Sequence, residues 1–187
     1  MTVCGLLLAA GAGTRMGRPK ALVVGDDGVP WLVRGVETLR AGGCDAVTVV
    51  LGAGADEARS LVPPDTGVLV AEDWAEGMSA SLRAGLRWLE DTEADAALVS
   101  LVDLPDLTDA VVRRVLSAGA DPAALIRTTY DGRPGHPVVI GREHWFGVRA
   151  AAVGDLGARD YLAHHALVEV ECGDLATGLD VDAPPAR

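Results

Sequence analysis

Long apolar stretches without polar alternation mark this chain from its first residues. VCGLLLAA at 3–10 has no charged position, the pattern of a strand buried on both faces of a parallel sheet. Similar runs at 45–53 (DAVTVVLGA), 67–73 (GVLVAED) and 95–103 (DAALVSLVD) predict three more strands. Between them the period changes to that of a helix. A helix over roughly 31–41 opens after Pro30 and stops at Gly42 and Gly43. A short helix is expected over 56–62. In SASLRAGLRWLEDT, Leu82, Leu86 and Leu89 share one helical face, with Ser79 as a candidate N-cap. Thr108 and Gly119 bracket another helix over 109–118. AALIRTTY and HPVVI flank the turn segment DGRPG, GDLGARDYLAHH reads as a short helix, and ALVEVEC and GLDVD read as late strands.

Strand–helix alternation of this kind predicts an α/β, Rossmann-like three-layer fold. The sheet is expected to be mixed but mostly parallel, with an antiparallel excursion after residue 120. Nothing resembles a repeat, a linker or a low-complexity tract, and 187 residues suit a single domain over 1–187.

Composition removes several classes of function. The net charge is −11 and aromatic residues make up 4% of the chain, without a basic tail or basic helix. Both features argue against a nucleic-acid partner. No apolar run approaches the length of a membrane span, and the apolar amino-terminal run has no charged stretch before it as a signal peptide would. The three cysteines, Cys4, Cys44 and Cys172, are widely separated, which predicts reduced thiols and a cytoplasmic protein.

Against this acidic background one loop stands out. LLLAAGAGTRMGRPKAL places Gly11, Gly13 and Gly17 directly after the first predicted strand, followed by Arg15, Arg18 and Lys20. Of 16 basic residues in the chain, Lys20 is the one lysine. A glycine loop after a strand lets backbone N–H groups turn toward an anion, and cationic side chains strengthen the hold on phosphate. The spacing is neither that of a dinucleotide loop nor that of a P-loop ATPase.

LAAGAGTRMGRPKAL resembles the signature of nucleotidyltransferases that attach a nucleotide to a phosphorylated acceptor. It is most similar to the molybdenum cofactor cytidylyltransferases and their guanylyltransferase relatives, with the G-R-P-K form closer to the cytidylyltransferases. The resemblance implies a nucleotidyltransferase fold, CTP or another NTP as donor, and Mg2+ as cofactor. It also implies a molybdopterin-type acceptor, with a molybdoenzyme or accessory protein as partner. It places Arg15 and Lys20 on phosphate oxygens, with Ala9, Ala10, Gly11 and Gly13 around the nucleotide. GMSASLRAGL is similar to the segment beside the base, implying Gly77, Ser79 and Ser81 there, although Ser79 reads equally as a helix cap. GRPGHPV and GDLGARDYL resemble acceptor-side segments and imply Gly135, His136, Asp155 and Arg159. His136 has a structural alternative ahead of Pro137.

LVDLP resembles the segment bearing the metal aspartate, Asp103. LDVDAPP at 179–185 resembles the terminal carboxylate segment, departing where Ala183 replaces threonine. The residues themselves point the same way. A carboxylate at the end of a buried strand faces the crevice where open α/β sheets bind ligands. Facing a triphosphate, it calls for a divalent cation between like charges. Asp180 and Asp182, two apart on a predicted strand, would share a face, and one or both could complete the metal site. The alternatives are a helix cap for Asp103 and a solvated edge for the other two. The functional alternatives are transfer of a different nucleotide to another phosphorylated acceptor, or a non-catalytic accessory protein that binds nucleotide or cofactor.

Overall fold

The computed structural model describes residues 1–183. Seven strands form one sheet: β1 (Val3–Ala9), β2 (Ala46–Leu51), β3 (Gly67–Val70), β4 (Ala96–Leu101), β5 (Leu125–Tyr130), β6 (Arg133–Gly141) and β7 (Val168–Glu171). Their spatial order is β3-β2-β1-β4-β6-β5-β7. β6 alone is antiparallel to its neighbours, pairing β4 on one side and β5 on the other. The expected mixed, mostly parallel sheet is therefore present, with the excursion where the sequence placed it.

Six helices cover the sheet: α1 (Trp31–Ala41), α2 (Ala55–Arg59), α3 (Met78–Glu90), α4 (Asp109–Leu116), α5 (Arg142–Ala151) and α6 (Arg159–Ala163). One core cluster joins Leu32 and Val36 of α1, Ala58 of α2 and Val111 and Val115 of α4 to Leu7, Val49 and Leu98. The other joins Leu82 and Leu86 of α3, Trp145 of α5 and Leu162 of α6 to Leu6, Val99 and Ile140. Odd and even strand positions thus feed opposite helix layers, which is why β1 and β4 read as unbroken apolar runs.

Four departures from the sequence reading bear on the site or its supports. α5 is absent from that reading, because its inward face is little more than Trp145 and Val148 while Phe146 is exposed. Trp145 is anchored by Nε1–H donating to the Ile140 carbonyl at 2.8 Å, and the Arg142 guanidinium lies over its ring. β6 begins at Arg133, so most of the expected turn segment is strand. The hairpin closes on Asp131 and Gly132, both with positive φ, as a two-residue hairpin loop requires. β4 ends at Leu101, leaving Asp103 beyond the last paired residue. Finally, the GLDVD segment is not a strand. It is held by one backbone bond, from Val181 N–H to the Asp103 carbonyl at 2.9 Å. Of LDVDAPP, Pro184 and Pro185 lie outside the described residues.

Candidate active site

The loop after β1 folds back on itself. Lys20 N–H donates to the Gly11 carbonyl at 3.2 Å, which closes the glycine segment into a ring-like turn. Gly13 has φ +58°, and a Cβ there would meet the Arg18 carbonyl oxygen at 2.0 Å. No other residue fits without opening the turn. The closure carries the Lys20 side chain back under the sheet edge, where it is 16% exposed.

There the lone lysine meets two carboxylates. Its Nζ donates to Asp103 Oδ2 and, at 2.5 Å, to Asp182 Oδ1. Arg15 reaches the other oxygen of Asp182 at 3.1 Å while remaining mostly exposed. Burial works against the Lys20 ammonium, but the hydrogen bonds and charges of Asp103 and Asp182 outweigh it and raise its pKa. The same bond, with the charge of Lys20 behind it, lowers the pKa of Asp182. Asp103, Asp180 and Asp182 each offer an oxygen, all within 4.8 Å of one another. The structure brings these three aspartates together without the strand alternation expected for Asp180 and Asp182: Val181 docks on the Asp103 backbone. Three hard oxygen donors at this separation suit Mg2+ or Mn2+, which keep several waters and take phosphate oxygens as further ligands.

A cleft of about 870 Å³ opens from this cluster across the sheet face. Ala10, Gly11, Gly13, Arg15, Lys20, Gly77, Ser81, Asp103, Gly135, His136, Asp155, Arg159, Asp180 and Asp182 all line it. Ala9 and Ser79 do not; both are buried. Ser79 is not the cap of α3, whose first residue is Met78. Its hydroxyl instead accepts from Gly157 N–H at 3.1 Å, and its own N–H donates to the Gly154 carbonyl at 2.9 Å. The capping acceptor is borrowed from elsewhere in the chain: Asp155 Oδ1 takes Met78 N–H at 3.2 Å. Gly77 permits this contact, since it has φ +110° and a Cβ there would lie 2.5 Å from Asp155 Oδ1. The base-side and acceptor-side segments are thus one interlocked corner.

His136 sits on the cleft wall after the β5–β6 turn, its carbonyl accepting from the Tyr130 hydroxyl at 2.7 Å. Burial pushes its imidazole pKa down to about 4, against a partial upward pull from Asp180, so it is neutral at physiological pH. Arg127 and Tyr130 escaped the sequence reading. Arg127 lines the cleft; Tyr130 is buried behind it and acts only through the His136 carbonyl it anchors. Arg127 was visible as the lone charge in LIRTTY, a strand otherwise without one.

An open, mostly parallel α/β sheet, a closed glycine–cation loop and a carboxylate cluster at the strand ends define a nucleotidyltransferase. The description "MobA-like NTP transferase domain" matches residues 5–170, and the chain belongs to that family. It is 38% identical to a nicotine blue oxidoreductase of Paenarthrobacter nicotinovorans, over 96% of this chain and 92% of that one. It is 28% identical to a molybdenum cofactor guanylyltransferase of Rhodobacter capsulatus, over 99% and 88% of the two chains. Among solved structures it resembles Rv0371c of Mycobacterium tuberculosis H37Rv, with a TM-score of 0.82 and 30% identity over 98% and 93% of the chains. It also resembles a structure of Rv0371C in complex with manganese, with a TM-score of 0.77 and 27% identity over 97% and 94%.

Proposed function

We propose that the protein transfers a nucleotidyl group from an NTP, preferentially CTP, to the terminal phosphate of a molybdopterin-type cofactor and releases pyrophosphate. The observation that carries this reading is the Lys20–Asp103–Asp182 cluster at the mouth of a cleft large enough for two substrates. The residues at that cluster position and neutralise charge, and the acceptor phosphate attacks the α-phosphorus in line. Arg15 and Lys20 hold the β- and γ-phosphate oxygens, with the loop N–H groups between Gly11 and Gly13 behind them. Lys20 must leave the carboxylates to do so. Asp103, with Asp180 or Asp182, would hold Mg2+, which when bound neutralises phosphate charge and fixes the phosphate oxygens. His136 and Arg159 face the acceptor side, His136 as a neutral hydrogen-bonding group.

The G-R-P-K form of the loop supports CTP. The guanylyltransferase name of the Rhodobacter relative favours GTP as the second reading. The cation-rich loop and carboxylate cluster support phosphoryl chemistry over the redox activity named for the Paenarthrobacter relative. The test is pyrophosphate release with each NTP, Mg2+ and molybdopterin, comparing wild type with Asp103→Asn. Asparagine keeps the shape and loses the charge, so turnover should fall at least 100-fold, on the scale of losing one electrostatic contact at the reacting group. Near-wild-type release across a Mg2+ titration would return Asp103 to a structural role. Faster release from GTP than CTP would move the donor assignment to guanylyl transfer.

A further inference from the structure

Residues 177–182, which carry Asp180 and Asp182, form a strap that belongs to neither helix nor strand. Val181 packs partly against the core, while Thr177, Leu179 and Asp180 are exposed. So little burial does not fix a segment against its conformational entropy, and polar contacts have to. One of them is Lys20 on Asp182. That contact is lost once the ammonium moves to phosphate or a cation takes the carboxylate oxygens.

Two further points dock the strap, both on the connection from β4 to α4. Val181 N–H donates to the Asp103 carbonyl. Four residues earlier, Thr177 donates its N–H and its hydroxyl to a single oxygen of Asp106, Oδ2, at 2.7 and 2.6 Å. The same hydroxyl accepts from Leu179 N–H at 3.3 Å. Between them Gly178, with φ +65°, lies against the Tyr130 ring, where a Cβ would meet Cδ2 at 2.1 Å. The connection beneath is anchored by buried Leu104 and Leu107 and by the Thr108 cap of α4.

Asp103 and Asp106 thus sit three residues apart on one anchored turn. Fixing Thr177 to Asp106 fixes the register in which Asp180 and Asp182 meet Asp103. Without that hold, a cation would have to order the strap as it binds, and the entropy lost would lower its affinity.

We propose that Thr177 and Asp106 are positioning residues for the carboxylate cluster. Their bonds keep Asp180 and Asp182 opposite Asp103 when Lys20 is engaged elsewhere. The inference rests on the cluster being a metal site, and it adds two residues that act only through the strap.

The test needs neither nucleotide nor turnover. Mn2+ binding to the nucleotide-free protein is followed by electron paramagnetic resonance, and hydrogen exchange of the Val181 amide by NMR. Thr177→Val and Asp106→Ala should each weaken Mn2+ binding about tenfold, the scale of one hydrogen bond to a charged group. Thr177→Ser keeps the hydroxyl and should bind Mn2+ as wild type does. In the valine and alanine variants the Val181 amide should exchange about tenfold faster, while the amides of β1 and β4 exchange as in wild type. Thr177→Val alters an exposed side chain and decides the matter if Asp106→Ala fails to fold by circular dichroism. The proposal is overturned, and the metal site stands, if the folded variants bind Mn2+ as tightly as wild type or if Val181 exchange is unchanged. The same holds if Thr177→Ser loses as much as Thr177→Val, or if the β1 and β4 amides accelerate together with Val181, the mark of general destabilisation. Wild type that binds no Mn2+ overturns the metal assignment and this proposal with it.

Discussion

Lys20 holds two carboxylates together with a single positive charge. A divalent cation at Asp103, Asp180 and Asp182 would compete with the ammonium for the same oxygens, and the loop phosphates would receive the displaced lysine. Lys20→Met should therefore do two opposite things. Mn2+ binding to the nucleotide-free protein, followed by electron paramagnetic resonance, should tighten because the competing ammonium is gone. Nucleotide affinity by calorimetry should weaken about 10- to 100-fold, since a hydrogen bond to a charged group contributes about 1.5–3 kcal/mol. If both affinities match wild type, Lys20 holds neither the metal oxygens nor the phosphates. Lys20→Arg should also be impaired, because the planar fork cannot replace a compact ammonium between two carboxylates.

At the scale of elements, two junctions hold the site. The first is the corner where Gly154, Asp155 and Gly157 clamp the start of α3. Gly77→Ala introduces a Cβ at positive φ against Asp155, so it should lower stability by more than about 1 kcal/mol. Both the denaturation midpoint and nucleotide affinity should drop. An unchanged midpoint would mean the corner relaxes freely. The second junction is Glu171 at the end of β7. Its carboxylate accepts from the Thr129 hydroxyl and from the N–H groups of Asp131, Gly132 and Gly173. The Thr129 bond first, and the three N–H bonds with it, hold its pKa down to about 2 against an ordinary 4.5. A carboxyl lowered on folding stabilises the native state above its unfolded pKa and loses that contribution as pH falls toward the folded one. The stability difference between wild type and Glu171→Gln should thus be full at neutral pH and shrink between about 4.5 and 2. A pH-independent difference in chemical denaturation would show that charge at this turn is irrelevant. That β5 and β6 meet at a two-residue turn was partly legible in DGRPG. That Glu171 caps it was not, because the partners are about forty residues apart in sequence and only the sheet brings them together.

Across the whole molecule, both core layers share one sheet, so local opening of either exposes the other. Cys4, Cys44 and Cys172 are all buried, and burial pushes the Cys44 thiol up to about 12. A thiol reagent at pH 8 should therefore label the three cysteines at the rate of unfolding and not at the rate of a free thiol. Fast labelling of Cys172 alone would show that β7 opens independently of the rest. Ligand linkage acts on the same global equilibrium. Nucleotide with Mn2+ at 100 times its dissociation constant should add about 2.7 kcal/mol of stability. At roughly 2–4 °C per kcal/mol for a chain this size, that raises the melting temperature by about 5–10 °C. Asp103→Asn should lose most of the metal-dependent part of that rise.

Periodicity alone determined the strands β1 to β4, helices α1, α3 and α4 and the parallel character of the sheet. Those signals are local: side-chain alternation and caps such as Thr108, whose hydroxyl accepts from Val111 N–H at 3.4 Å, sit within a few residues of what they control. The glycine–cation loop was equally legible, since its chemistry is contiguous from Gly11 to Lys20. Tertiary structure decided the rest. α5 formed despite a faint pattern because Trp145 found a pocket and a carbonyl partner. Asp155 took the capping role expected of Ser79 because a distant loop supplied the acceptor. Asp180 and Asp182 reached Asp103 through one backbone bond at Val181, and Arg127 reached the cleft because β6 inserts between β4 and β5. Each of these depends on contacts between residues far apart in sequence, where spacing along the chain says nothing about separation in space.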